Sequence, residues 1–155
     1  MDILIRQMGA ADRMVWADMR GSLWPDETPQ QHAVGIDQLL EDGEAWAFIA
    51  ETPTGAAAGF AEIAIRKYAN GCDSRPVAFL EGVWVSEELR RRGVGAQLIS
   101  HIDSFLAACG FHELGSDTPL DNDVSQSAHL GWGFSETERV VYFRKLLRTC
   151  TRSEI

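Results

Sequence analysis

Cysteine is scarce in this chain of 155 residues: Cys72, Cys109 and Cys150 are odd in number and show no CxxC spacing. A disulfide framework or a paired-thiolate zinc site is therefore not expected, no metal is called for, and a reducing cytoplasm is the simplest setting. No apolar run approaches the ~20 residues that cross a bilayer. The start, Met1-Asp-Ile-Leu-Ile-Arg, has no cationic stretch ahead of a long apolar core, so no secretory signal is expected. Positive charge is in deficit, 14 Lys and Arg against 23 Asp and Glu, for a net charge of −9. That balance argues against nucleic-acid binding, which needs a basic surface. It suits a cationic ligand drawn to an acidic surface, and equally plain solubility. No repeat, charge block or low-complexity stretch divides the chain, so one domain over residues 1–148 is expected, with a polar tail at 149–155.

What is present reads as alternating elements. Residues 2–8 alternate like a strand, and 10–24 carry Met14, Val15, Met19 and Leu23 near helical spacing before Pro25 ends the run. Thr28-Pro29-Gln30-Gln31 predicts a capped helix start: Thr at the cap, Pro at the first position, Gln at the third. Residues 45–51 and 57–65 predict a hairpin around Pro53-Thr-Gly55, and 67–76 a loop long enough to be functional. Residues 77–85 predict a buried strand. From Gly93 a helix follows, with Val94, Leu98, Ile102, Phe105 and Cys109 on one stripe and Gly110 at its end. A short strand at 112–117, a helix at 122–130 and an alternating strand at 136–147 complete the pattern. The order predicts an α/β (α+β) sheet with mixed strand directions and both faces covered.

Chemistry concentrates between Phe79 and Ala96. The turn Arg90-Arg-Arg-Gly93-Val-Gly95 stands between an apolar strand and a striped helix. It is neither a P-loop nor a dinucleotide fingerprint, because Leu98 occupies the place of the third glycine. Backbone amides from Arg91 to Ala96, Arg92, Gly93, Val94 and Gly95 included, would point at a diphosphate, aided by the helix dipole. Arginines at a helix start oppose that dipole, which favours a bound anion over a merely solvated basic turn. Upstream, Glu81 sits between Leu80 and Gly82 in a strand expected to be buried. Unpaired burial of a carboxylate costs several kcal/mol and raises its pKa toward that of a useful base. The alternative is a structural ion pair with an arginine such as Arg66.

Residues 78–134 resemble the GNAT superfamily of acetyl-CoA-dependent N-acetyltransferases, whose Gln/Arg-x-x-Gly-x-Gly/Ala motif corresponds to Arg90-Arg-Arg-Gly93-Val-Gly95. Nearly the whole chain resembles the aminoglycoside 6′-N-acetyltransferases within it. The matching pieces are Ile5-Arg-Gln-Met8, Leu23-Trp-Pro25, Asn70-Gly-Cys-Asp-Ser74, Phe79-Leu-Glu-Gly82, Ser116-Asp-Thr118, and Gly133-Phe with Glu136-Thr-Glu-Arg139. The resemblance implies a GNAT fold, a mixed and mostly antiparallel sheet of six to seven strands with about four helices, splayed at strand 77–85. It implies acetyl-CoA as co-substrate, its pantetheine arm on the backbone of Val83, Trp84 and Val85, and the Val83 N–H as oxyanion donor. Gly82 suits the bulge such a splay needs.

The same resemblance gives Glu81 and Asp117 as amine-binding residues and candidate bases, and it does not rank them. Asp117 could instead cap the turn before Pro119. Asn122 would hold the pantetheine arm, or serve as an ordinary helix cap. Trp24 and Tyr68 would offer aromatic faces to sugar and ammonium groups, core filling being the alternative for Trp24. Glu138 would bind a substrate ammonium, and the resembled enzymes are dimers with exchanged C-terminal segments, so it could serve the partner's site. Many members carry Tyr four residues before the Gly of Gly-Phe as the acid for the departing thiolate. Here that place holds His129, which could donate a proton or simply pack. The expected activity is direct acetylation of the 6′-amine of an aminoglycoside antibiotic, conferring resistance. A GNAT acting on a polyamine or protein N-terminus, or a non-catalytic acyl-CoA sensor, are the alternatives.

Overall fold

The computed structural model describes residues 1–148. Five strands form one sheet in sequential order: β1 (Leu4–Gln7), β2 (Ala45–Glu51), β3 (Ala57–Arg66), β4 (Val77–Val85) and β5 (Leu114–Ser116). The first four pair antiparallel, and β5 joins β4 in parallel. Between β1 and β2 lie α1 (Arg13–Leu23) and α2 (Pro29–Glu41). Helix α3 (Val94–Ala108) crosses from β4 to β5, and α4 (Asp123–Gly131) follows β5.

Local chemistry accounts for the element ends. At the start of α2, Thr28 Oγ1 accepts from the Gln31 N–H at 3.2 Å, while the Thr28 N–H donates to Gln31 Oε1 at 2.7 Å. With Pro29 opening the helix, this is the expected capping box. Gly110 (φ +90°) ends α3 in the left-handed region, where a side chain is strained.

The sheet is covered on both faces. On one, Val94, Leu98, Ile99, Ile102 and Leu106 of α3 pack against Phe48, Ala61, Ile63, Ala78 and Leu80. On the other, Trp16 and Met19 of α1 and Ile36 of α2 cover Ala47, Ile49 and Phe60. The buried stripe of α3 runs through Leu106, and Cys109 is exposed rather than part of it.

Two features of β4 position the site. Glu62 of β3 pairs with Gly82, yet the next residue, Ile63, pairs with Leu80. Glu81 is thus the extra residue of a β-bulge, which turns the strand and re-aims its side chain. Gly82 is required there: a Cβ would stand 2.6 Å from Trp24 Cζ2 and 2.9 Å from Leu23 Cδ2. Second, β5 pairs only with Ala78, Phe79 and Leu80, so among the described residues β4 from Glu81 to Val85 has β3 as its sole neighbouring strand.

Among the described residues the sheet has five strands, not six to seven. Residues 136–147, expected as a strand, carry no regular secondary structure and leave Val141, Tyr142, Phe143, Leu146 and Leu147 exposed. Alternating side chains make a segment able to form a strand; a strand also requires an edge to pair with, and none within the described chain receives this one. The tail expected at 149–155 lies outside the described residues, as does Cys150.

Candidate active site

The site begins where β4 and β5 part company. A strand's backbone groups point alternately to its two sides. Past Leu80, those of β4 facing away from β3 have no β5 residue opposite. Val83 and Val85 direct side chains to the α3 face, and Trp84 to the α1–α2 face, so this stretch of open backbone lies between covered faces.

Beside the seam is a cavity of ≈ 260 Å³ lined by Arg66, Tyr68, Phe79, Ser116, Asp117 and Tyr142, among others. Arg66 grips Glu81 with both ends of its fork, Nε to Oε1 at 2.8 Å and Nη2 to Oε2 at 2.7 Å. Its guanidinium lies over the Phe79 ring, 3.6 Å from the centroid, which fixes the pair from below. The buried, unpaired carboxylate expected at Glu81 is therefore not what the fold contains: its side chain keeps 30% exposure and is ion-paired. The bulge carries Glu81 out of the regular ladder, and β3 supplies the cation at its end. Asp117 directly follows β5 and makes no hydrogen bond to another side chain or backbone group among the described residues. Tyr68 is 64% exposed and presents its ring to the same space.

Trp24 caps α1 and lies against Gly82, with its ring edge-on to Phe60 at 6.4 Å and the Arg20 guanidinium 4.9 Å from its centroid. It abuts the bulge, with a protein cation already at its ring. Glu138 is exposed and is not part of the cavity. Its neighbour Arg139 bonds Glu136 and Gln126 instead.

At the other end of β4, the turn into α3 has the form an anion site needs. Gly93 caps the helix at φ +85° and Arg91 is held at φ +60°, a strained conformation for a residue with a Cβ. The first helical hydrogen bond is Gln97 N–H to Gly93 C=O at 3.0 Å, and no side chain caps the preceding amides among the described residues. Arg92 and Ala96 are exposed at this rim, whereas Val94 is buried in the α3 core. Gly95 is glycine for packing: a Cβ would meet the Trp132 indole at 2.6 Å. Arg90 turns back to bond the Val85 carbonyl at 3.1 Å, tying the turn to the strand end.

Helix α4 begins with Asn122 as a true cap, Oδ1 accepting from the Ser125 N–H at 3.0 Å. His129, about two turns on, is fully engaged. Its Nδ1 lies 2.7 Å from the Ser125 carbonyl and its Nε2 2.8 Å from Ser116 Oγ, and the ring packs on Trp132 and Phe134.

Three features escaped the sequence reading. Ser116 and Tyr142 line the cavity. Glu62 is the carboxylate that is truly buried, at 3% exposure, bonded by Trp16 Nε1 at 2.6 Å and Arg20 Nη1 at 3.2 Å. Burial pushes its pKa up, more than Arg20 and Trp16 pull it down. A lone Glu in the apolar run 57–65 was the available signal. Cys72 is half-buried, and burial, with Glu113 and Asp73 nearby, raises its thiol pKa, which makes it a poor nucleophile.

Residues 11–134 match the Acetyltransferase (GNAT) family. An aminoglycoside N(6′)-acetyltransferase type 1 of Serratia marcescens is 44% identical over 133 residues, 85% of this chain and 91% of that protein. One of Klebsiella aerogenes is 44% identical over 147 residues, 93% of this chain and 97% of that protein. The solved structure of AAC(6′)-Iy in complex with the bisubstrate analog CoA-S-monomethyl-acetylneamine aligns with a TM-score of 0.88 at 40% identity, covering 95% of this chain and all of that one. With the family match spanning most of its length and these relatives nearly all of it, the chain belongs to the GNAT acetyltransferase family.

Proposed function

We propose that this protein transfers the acetyl group of acetyl-CoA to the 6′-amine of an aminoglycoside, in the cytoplasm, and so removes a cationic amine from the antibiotic. The observation that carries this reading is the parting of β4 from β5 at Leu80 and Ser116. It opens the acidic, aromatic cavity and the uncapped start of α3 onto the same stretch of strand. The named activities of the relatives support the same reading.

On the α3 side, the amides from Arg91 to Ala96, with the Arg91 and Arg92 side chains, hold the diphosphate of the co-substrate. The exposed rim, the strained Arg91 and the uncapped amides fit an anion. The pantetheine arm adds to the open edge of β4 at Val83, Trp84 and Val85 as an extra strand would, with Asn122 on its far side. The Val83 N–H faces the oxygen that gains charge as the thioester carbonyl becomes tetrahedral.

On the cavity side, Asp117 and Glu81 draw the ammonium in, and Tyr68 offers a face to the sugar ring. Arg66 neutralises Glu81 and holds its two oxygens in place, leaving Asp117 as the carboxylate with free lone pairs toward the cavity. Asp117, directly or through water, takes the proton that must leave before nitrogen can attack. Nitrogen attacks the thioester directly, since Cys72 has neither an adjacent base nor a lowered pKa.

The exposed apolar residues Val141, Tyr142, Phe143, Leu146 and Leu147 fit a homodimer in which these C-terminal segments are exchanged. In that arrangement Glu138 serves the partner's cavity. Light scattering tests it: a dimer that becomes monomeric when the chain is ended after Arg139 is expected, and a monomeric full chain overturns it.

The activity is tested by thiol release from acetyl-CoA with kanamycin, tobramycin and an aminoglycoside bearing hydroxyl in place of the 6′-amine. Release with the first two and not the third is expected. Asp117→Asn is expected to lower kcat by about 10²-fold or more, the usual worth of a general base. Release with polyamines alone overturns the assignment.

A further inference from the structure

Two faces of the parting seam carry different chemistry. Phe79 of β4 belongs to a cluster with Val77 and Ala69, on the side where Arg66, Tyr68 and Glu81 gather. Leu80 belongs to the α3 cluster on the opposite side. Ser116 pairs with Leu80, and paired residues of neighbouring strands share a face. Its hydroxyl accordingly reaches α4, where His129 Nε2 stands 2.8 Å away. Asp117, one residue on, turns to the cavity. Ser116 also lines the cavity that Asp117 enters, so the Ser116–His129 pair stands at the seam beside the amine-binding carboxylates, with the hydroxyl turned to α4.

The hydrogen bonds fix the tautomer. A carbonyl oxygen only accepts, so the Ser125 carbonyl, 2.7 Å from Nδ1, holds the hydrogen of neutral His129 on Nδ1. Nε2 then accepts from Ser116 O–H. If the ring takes up a second proton, Nε2–H donates to Ser116 Oγ, and the hydroxyl hydrogen is released toward the seam. Both protonation states are satisfied without moving a side chain. Because Nε2 is occupied by Ser116, the imidazole does not itself reach the seam.

We propose that Ser116 is the residue that meets the sulfur departing from the thioester, and that His129 acts through it as a positioning residue and proton source. This rests on the acetyl-CoA reading given above. As the C–S bond of the tetrahedral intermediate breaks, its electron pair passes to sulfur. The Ser116 hydroxyl hydrogen moves to sulfur, and Oγ recovers one from Nε2 of the imidazolium. The products are the amide, the free thiol and neutral imidazole in the hydrogen-bonded state seen here. Solvent reprotonates Nε2 for the next turnover. The two protons lost by the substrate ammonium leave by way of Asp117 and solvent, so the net reaction releases one proton.

The test is the single-turnover rate of acetyl transfer in Ser116→Ala, Ser116→Thr, His129→Gln and the Ser116→Ala/His129→Gln double variant, with Kd for CoA and the aminoglycoside measured alongside. Ser116→Ala and His129→Gln are each expected to lower the rate at least ~10-fold, within the range of general acid catalysis, with both Kd values held within about twofold. The double variant is expected to be no slower than the worse single, since the two act as one unit. Ser116→Thr, which keeps the hydroxyl, is expected to restore most of the rate and the solvent deuterium isotope effect that Ser116→Ala loses. Should Ser116→Ala fail to fold, His129→Gln and Ser116→Thr carry the comparison. A His129→Gln rate within twofold of wild type, additive losses in the double variant, or equal losses in Ser116→Thr and Ser116→Ala would overturn the proposal. A wild-type protein that acetylates no aminoglycoside overturns the function itself, a distinct outcome.

Discussion

Glu62 and Glu81 are neighbours across one β-bulge and lead opposite lives. Glu62 points into the α1–α2 layer, keeps 3% exposure, and is bonded by Trp16 and Arg20. Glu81, displaced by the bulge, is gripped at the solvent boundary by Arg66, which itself lines the cavity. Both are carboxylates in apolar strands and both have an arginine. Depth separates them: the inner one belongs to the architecture that holds α1 on the sheet, and the outer one stays at the solvent boundary beside the cavity that Arg66 lines. A carboxylate in an apolar run therefore points to an unusual environment, and the direction of its side chain decides which kind.

The sharpest way to break this distinction is to remove the inner partner. Glu62→Ala leaves the Arg20 guanidinium buried, with Nε already unpartnered, and is expected to cost ~3–5 kcal/mol in urea unfolding. A variant as stable as wild type would place Glu62 outside the structural class. Next comes the bulge itself. Gly82→Ala pushes a methyl into Trp24 and Leu23, so a loss of ~1–3 kcal/mol is expected, with a change in Trp fluorescence as the indole shifts. An unchanged spectrum and midpoint would mean that the ring yields freely.

The smallest effect is a pH slope. Burial raises the pKa of Glu62 above its ordinary 4.5, so the native state holds that proton to higher pH than the unfolded chain does. Its contribution to stability therefore falls as pH rises through the window above 4.5. The stability of wild type relative to Glu62→Gln, which does not titrate, is expected to decline across that window. A relative stability that rises with pH would mean that Arg20 outweighs burial.

The fold was legible wherever the signal was local. Thr28, Pro29 and Gln31 specify their capping box through atoms three residues apart, and Gly110 specifies a helix end by its own backbone. The turn from Arg90 to Gly95 was legible as a helix start, with Gly93 at its cap. The same residues hid a second meaning: Gly95 makes room for Trp132, a contact spanning 37 positions. Glu62 was passed over because its partners, Trp16 and Arg20, come from a helix more than forty residues away. Pairing of Glu81 with Arg66 was one of two options in the sequence, and only the register of β3 on β4 selects it. Residues 136–147 show the limit from the other side: alternation encodes a capacity to pair and says nothing of where the edge is.

The most direct measurement is kcat/KM of Glu81→Gln for an aminoglycoside, taken together with its urea midpoint. Charge-assisted hydrogen bonds to an ammonium are worth about 1.5–3 kcal/mol, so a fall of roughly 10- to 100-fold is predicted. The part-exposed Arg66 pair contributes at most ~1 kcal/mol, so the midpoint should barely move. An unchanged kcat/KM with a large loss of stability would make Glu81 a second Glu62 and contradict the account.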